Sequence, residues 1–333
     1  MFKSKWAMLF SALILGCFAG SPAFSMELEI YGAKSIGDLQ AVRSMGFTRV
    51  VLDNFSLAAP AEALGLGVVQ ANWWDQKTPK ESIQSQITLA KKSKNLVSVN
   101  MMDEPFHNDA RLHPPQLYQG IRAAIRAAEK KSGDSATVPF SITLDGIHRS
   151  YDKNWLSYYL AYTRASDLLR VDPYPVLVDQ PLGEVYRWIE YCRDLIRETG
   201  REIPLTVILQ TWSPGDDEKG IPSLPTIEEL RVMAYQVVLS QVSAISFFDY
   251  NQKVWAAFPG YTTEFPQLMV ELAALSRRLE KSKVKTQLLK FGIFEAEIGW
   301  DGKVTSCIRI NTSYERFSDL RPLEIRENIG NCD

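Results

Sequence analysis

The segment Leu96–Pro105, LVSVNMMDEP, ends in two adjacent carboxyl groups, Asp103 and Glu104, and then a proline. A glutamate beside an aspartate is a natural proton donor. The neighbouring negative charge raises its pKa toward the working range of a general acid. Upstream, Leu96, Val97 and Val99 are apolar and Ser98 and Asn100 small or neutral, the pattern of a strand covered on both faces. Pro105 lacks an N–H and stops the ladder there. In parallel α/β folds the C-terminal ends of strands carry the chemistry. A single acidic strand end is an ordinary turn or cap, so recurrence is what matters.

The pattern does recur. Apolar runs end in Asp53 and Asn54, in Asn72, Trp73 and Trp74, in Asp145, in Asp172 and Tyr174, in Gln210 and Trp212, and in Asp249 and Tyr250, with Trp255 close behind. Aromatic faces beside Asp, Asn and Gln suit a sugar ring, whose C–H face stacks and whose hydroxyl edge is hydrogen-bonded. Any one of these tryptophans is as readily a packing residue. Breaking a glycosidic bond needs a proton donor and usually a second carboxylate. Glu104 is the expected acid/base, and Asp172 and Asp249 are the candidates for its partner. Asp53, Asn54, Asn72, Trp73, Trp74, Asp103, Tyr174, Gln210, Trp212, Tyr250 and Trp255 are the expected sugar-binding residues.

The elements that must bring these together alternate. Strands are expected at 28–31, 47–52, 67–71, from Leu96, 137–144, 167–171, 204–209 and 244–248. Helices fall between them and after the last, at 36–45, 59–64, from Thr78-Pro79-Lys80-Glu81 to about Lys94, 115–131, 154–164, 182–198, from Thr226 to about Ser240, and 263–280. Thr78 and Thr226 each precede a glutamate three residues on, the signature of a capping box. Eight βα units over residues 26–281 are the size and count of a TIM (β/α)8 barrel. After Lys281 the pattern changes to strands at 287–291, 295–300 and 305–310, with Asp301-Gly302 as a hairpin turn. Residues 282–333 are expected to form a short β appendage.

The first 25 residues read as a secretory signal peptide: Lys3 and Lys5, the apolar run Trp6–Gly16, and Ala23-Phe24-Ser25 as the cleavage signal. Export to the periplasm or medium follows. A lipoprotein box ending in Cys17 is the second reading, weakened by the bulky Phe18. No later segment is long and apolar enough to span a membrane. A net charge of −2 with no basic stripe argues against nucleic acid. Cys307 and Cys332 could staple the C-terminus, whereas Cys192 lies in a helical pattern as a buried thiol. A metal set from Asp103, His107 and Asp109 is imaginable, but His113 and His148 fall in different loops, so neither metal nor cofactor is expected. No G-x-S-x-G elbow and no glycine-rich phosphate loop is present.

Between about Leu28 and Glu280 the chain resembles the (β/α)8 glycoside hydrolases whose acid/base glutamate ends the fourth strand. Their Asn-Glu-Pro is matched by Asp103-Glu104-Pro105. The segments Pro225–Arg231, Met233 and Tyr235, Ile245–Tyr250, and Asp172-Pro173-Tyr174-Pro175 look like their seventh helix, eighth strand and sixth-strand end. The resemblance implies a hydrolase of poly- or oligosaccharides. It also implies a nucleophilic glutamate on the seventh strand, where this chain has Gln210. Three outcomes are open: Asp172 or Asp249 serves as base or nucleophile; a substrate acetamido group replaces the nucleophile, oriented by Gln210; or the barrel binds a glycan without cleaving it. A metal-dependent hydrolase or lyase is a further alternative.

Overall fold

The computed structural model describes residues 26–333 except 107, 110, 134–136, 147–154, 213–223, 290–291, 317–319, 331 and 333. The proposed leader, Cys17, His107 and His148 lie outside the described residues.

Eight parallel strands close into a barrel: β1 (Glu27–Tyr31), β2 (Arg49–Leu52), β3 (Gly67–Ala71), β4 (Leu96–Asp103), β5 (Phe140–Asp145), β6 (Leu168–Asp172), β7 (Leu205–Gln210) and β8 (Ala244–Phe248). β1 pairs with β2 on one side and β8 on the other, so no edge is left open. The outer layer is α1 (Ile36–Ser44), α2 (Ala58–Ala63), α3 (Lys80–Ala90), α4 (Pro115–Ser132), α5 (Trp155–Ala165), α6 (Glu184–Glu198), α7 (Ile227–Leu239), α8 (Gln252–Ala256), α9 (Pro259–Thr263) and α10 (Phe265–Leu279). The (β/α)8 expectation holds.

Local chemistry explains the helices. α6 buries Val185, Trp188, Ile189, Cys192 and Leu195 at helical spacing. Its outer face carries Arg187–Glu184 and Arg193–Glu190 pairs three residues apart. Thr226 and Glu229 form the expected capping box on α7. α4 ends at Gly133, whose φ of 70° is the left-handed cap that glycine adopts without penalty.

Two expectations need correction. Thr78 does not cap α3; its hydroxyl is held by Asp75 at 2.8 Å, and Pro79 is the N-cap without a side-chain bond. α3 also ends at Ala90 rather than near Lys94, because Glu62 captures Ser93 and the backbone N–H of Lys94 and turns the chain toward β4. The last expected helix is present as α10, and two short helices that were not foreseen, α8 and α9, precede it, with Pro259 and Pro266 at the starts of α9 and α10.

A separate antiparallel sheet follows: β9 (Lys283–Leu288), β10 (Ile293–Trp300), β11 (Lys303–Asn311) and β12 (Ile325–Ile329), in the order β12-β11-β10-β9. The fourth strand was not foreseen. Asp301 and Gly302 both have positive φ, 49° and 79°, as the expected hairpin turn requires. A disulfide joins Cys307 to Cys332, and Cys192 is a buried free thiol. The sheet sits against α6, where Tyr186 packs edge-on to Phe294 at 5.1 Å and its hydroxyl donates to the Thr286 carbonyl.

The barrel interior also departs from a simple apolar filling. A parallel strand covered on both faces has little room for charge. Instead, Arg170 of β6 and Glu29 of β1 are buried and ion-paired across the barrel, and Ser98, Asn100, Ser141, Thr143, Thr206 and Ser246 are buried on its strands. Val, Ile and Leu usually dominate such layers.

Candidate active site

The end of β4 is held in an unusual backbone. Glu104 has φ 46°, a left-handed conformation that costs a non-glycine residue roughly 1 kcal/mol or more. Four hydrogen bonds fix it. The Glu104 N–H donates to the Thr143 carbonyl of β5 at 3.0 Å. The backbone N–H of Asn108 donates to the Glu104 carbonyl at 2.9 Å, and its side-chain amide donates to the carbonyls of Asp103 and Glu104. Close approach of neighbouring strand ends tightens the same mouth. A Cβ on Gly146, just after β5, would lie 2.5 Å from Pro173 Cα after β6. One on Gly32, after β1, would lie 2.6 Å from the Tyr250 carbonyl oxygen after β8.

The central observation is a direct hydrogen bond between the side chains of Glu104 and Asp172. Two carboxyl groups can share such a bond only if one carries a proton. Asp172 is 2% exposed. Burial, then the charges of Glu104 and Asp103, hold its pKa well above the ordinary carboxylate range. Asp103 is raised for the same first reason, burial, against a hydrogen bond from Thr143 and the charge of Arg170. Asp249 is raised by burial as well, opposed by Lys34. β8 lies opposite β4 in an eight-stranded ring, so Asp249, just after β8, and Glu104, just after β4, stand on opposite sides of the mouth. Asp53, exposed at the end of β2, adds negative charge felt by both Asp103 and Asp249.

The aromatic residues divide into two groups. Tyr174 is buried over the barrel end with Tyr31, Val51, Val69 and Ile208. Its pKa is held well above the ordinary phenol range, by burial first and then by Asp172 and Asp103. Trp212 is half-buried and meets Phe248 edge-on at 6.0 Å, and Trp73 stands 59% exposed. Trp74 and Trp255, the other two strand-end tryptophans, are packing residues. Trp74 is buried, its indole N–H donates to Gln86 of α3, and its carbonyl accepts from Tyr118 of α4. Trp255 lies in a cluster with Tyr250, Tyr261 and Phe265, and its indole N–H donates to the Thr211 carbonyl at 3.3 Å. Of the expected sugar-binding residues, Trp74, Tyr250 and Trp255 are buried in packing instead. Their polar atoms hold the loops, as Tyr159 does by donating to the Asp145 carbonyl.

Two amides are also internally engaged. Asn72 Oδ1 accepts from Gln70, and its Nδ2 donates to the carbonyls of Gln70 and Asn100. Gln210 is fully buried and its Nε2 donates to the Trp212 carbonyl at 2.8 Å. Asn54 is exposed and caps a short 3-10 turn by accepting from the Ser56 N–H.

Sequence reasoning missed the layer beneath. Arg170 grips Glu29 through both terminal nitrogens, donates to the Tyr31 hydroxyl at 3.1 Å, and lies 5.4 Å from the centre of that ring. Burial alone would pull the guanidinium pKa down; the Glu29 charge outweighs it and keeps Arg170 ionised. The signal was available: Arg170 and Asp172 share one face of β6, as Glu29 and Tyr31 share one face of β1.

Among the described residues no group of three or more His, Cys, Asp or Glu could hold a metal. Asp109 is engaged with Arg111 at 3.0 Å, and His113 Nδ1 with the Tyr118 hydroxyl. A surface concavity of about 710 Å³ runs along α3, lined by Lys80, Glu81 and Gln84 among others, and converges on no acid pair. The strand ends locate the site better.

Neither a family profile nor a curated protein sequence matches the chain. Solved structures do. A family 39 glycoside hydrolase from the gut symbiont Bacteroides cellulosilyticus WH2 aligns with TM-score 0.55 and 11% identity, over 88% of this chain and 71% of that one. A β-galactosidase from Rahnella sp. R3 aligns with TM-score 0.53 and 10% identity, over 80% of this chain and 58% of that one. A glucosidase from Croceicoccus marinus aligns with TM-score 0.50 and 11% identity, over 84% and 76%. At such identities the likeness is one of fold, and that fold is a (β/α)8 barrel.

Proposed function

We propose that this chain is an exported glycoside hydrolase acting on a poly- or oligosaccharide, with Glu104 as general acid/base. The observation that carries the reading is the hydrogen bond between half-buried Glu104 and buried Asp172 at the mouth of the barrel. A proton shared there is a proton in place for a leaving glycosidic oxygen. Asp172 is therefore read as the residue that holds and returns that proton. Retaining pairs stand about 5–5.5 Å apart and inverting pairs roughly 6.5–9.5 Å apart. A carboxyl in direct hydrogen-bond contact leaves no room for a sugar carbon between the two. The opposing role falls to Asp249, on the far side of the mouth from Glu104. Asp53, Asp103, Tyr174, Trp212 and Trp73 would contact the sugar, and Asn72, Trp74, Tyr250 and Trp255 would support the loops. Export rests on the leader sequence, with the lipid anchor at Cys17 as the second form.

The test is hydrolysis of a panel of cell-wall and exopolysaccharide substrates by the parent, Glu104→Gln and Asp249→Asn proteins. Release of sugar by Glu104→Gln at the parental rate would sink the assignment of the acid.

One observation favours a second reading, a glycan-binding barrel without turnover. Gln210 stands where the resemblance calls for a nucleophile, and its amide is tied to the Trp212 carbonyl. That reading expects saturable oligosaccharide binding and no product after long incubation.

A further inference from the structure

Asp103 and Glu104 are neighbours in the chain, and neighbouring side chains of a strand point to opposite faces. Both nevertheless act on Asp172 of β6, Glu104 by a direct hydrogen bond. The left-handed backbone of Glu104, φ 46°, breaks the alternation. Nothing local favours that backbone. Glutamate does not enter the left-handed region readily, and a residue before a proline, here Pro105, is pushed toward extended conformations. The bend must be held by its surroundings.

Two anchors flank it. The Glu104 N–H is tied to the Thr143 carbonyl of β5 at 3.0 Å. Phe106, two residues on, packs against Tyr158 and Tyr159 of α5 with ring centres 5.5 and 5.8 Å away. The Asn108 side chain spans the bend itself. Its Nδ2 donates to the Asp103 carbonyl at 3.1 Å and to the Glu104 carbonyl at 3.2 Å. Successive carbonyls of an extended strand point in opposite directions, so one amide nitrogen reaches both only where the chain has folded over. The bridge therefore selects the bent conformation of Glu104. Asn108 is exposed, so its contribution lies in these bonds and not in core packing.

We infer that Asn108 is a positioning residue, whose amide locks the turn after β4 and so holds the Glu104 carboxyl against Asp172. The role rests on the reading of Glu104 as the acid, and it is exercised through Glu104 and not on the sugar. Without the bridge, the Glu104 backbone relaxes toward the extended region and its carboxyl leaves Asp172.

The experiment takes the full chain, labelled with carbon-13 at its aspartate and glutamate carboxyls, through an NMR pH titration. Steady-state kinetics on the polysaccharide panel run beside it. Glu104→Gln and Asp172→Asn assign the two signals. In Asn108→Ala the upper titration midpoint of the Glu104–Asp172 pair should fall by about one pH unit, because the two carboxyls no longer share a proton. Asp103, Asp145, Tyr159 and Tyr174 also lie within reach of the Asp172 charge, and the substitution leaves all four in place. Turnover should fall about 10- to 100-fold at unchanged KM, the size of a small misplacement of a reacting group. The unfolding temperature should stay at the parental value. Asn108→Leu, close in shape and without hydrogen-bonding groups, gives the same readout should Asn108→Ala melt early. An unmoved midpoint in both variants overturns the inference, as does parental turnover or a loss confined to KM. Glu104-dependent cleavage with an unmoved midpoint removes the role of Asn108 and leaves the hydrolase standing. A lowered midpoint in a chain that cleaves nothing, parent included, keeps Asn108 as the residue that positions Glu104 and removes the hydrolase.

Discussion

The two ends of the barrel treat acidic residues in opposite ways. At the N-terminal ends of the strands, Asp167 accepts from Arg122, Arg126 and Arg201 and from the backbone N–H of Phe140. Glu129 is held by Arg126, by Lys91 and by the Val138 N–H. Burial pushes both pKa values up, but these partners outweigh it and both finish below the ordinary range. At the C-terminal ends, burial is the largest cause acting on Asp172, Asp103 and Asp249, and it is not outweighed. The same desolvation therefore ends in tight ion pairs at one end and in raised carboxyl pKa values at the other. One end ties its acids into ion pairs that hold the fold; the other leaves its carboxyls poorly solvated with raised pKa values, the arrangement that the proposed acid/base role at the strand ends calls for.

The comparison is broken most sharply at Glu104. Glu104→Gln should lower turnover by about 10²- to 10⁴-fold, the usual worth of a general acid, with no loss of unfolding temperature. Reducing-sugar release and a thermal melt on one sample check both halves. If the melt falls with the activity, the residue belongs with the structural acids instead.

Arg170 tests whether the layer between the two ends is structural. Arg170→Met leaves Glu29 buried without its cation and should cost about 3–5 kcal/mol. Urea unfolding measures it. Adding Glu29→Leu should recover most of the loss, since an apolar pair of similar volume removes the stranded charge. A double variant no more stable than the single one would mean that Arg170 acts by packing alone.

Asp167→Asn should cost less, about 2–3 kcal/mol at pH 7, because its partners are partly hydrated. The sign of its pH dependence is fixed by the direction of the shift. A lowered pKa gives stability that is present above the ordinary carboxylate range and is lost as pH falls through the native value. Parent and variant should therefore converge in acid. A gap that stays constant down to pH 2 would remove the electrostatic explanation.

Legibility in the sequence followed physical range. β3 and β8 were read to the residue, because each is a short apolar run bounded by turn residues. The capping box of α7 was legible for the same local reason. The Glu104 position was legible because a strand, its end and a proline lie within ten residues. The Glu104–Asp172 bond was not, since β4 and β6 are about seventy residues apart and either Asp172 or Asp249 suited the pattern. Trp74 and Trp255 were misassigned because a tryptophan in a loop looks the same whether its ring turns to the mouth or under a helix. Thr78 failed as a cap because Asp75, three residues earlier, competes for its hydroxyl.

Asp172→Asn is the smallest effect and the one that ties the comparison together. Its pKa is raised in the folded protein, so the native state binds a proton that the unfolded chain releases. Stability contributed by that proton is full below the ordinary carboxylate pKa and is lost as pH climbs through the raised native value. An amide at 172 carries no charge to bury, so the variant should be more stable than the parent by about 1 kcal/mol at pH 8. It should show no advantage at pH 3. The slope is opposite to that of Asp167→Asn, and guanidinium titrations of both variants across one pH series display the two signs side by side. Turnover should fall in Asp172→Asn even as stability rises, because Glu104 loses the carboxylate that shares its proton. A variant that is less stable at pH 8 would place Asp172 among the acids that hold the barrel together, and the two ends would then differ in position only.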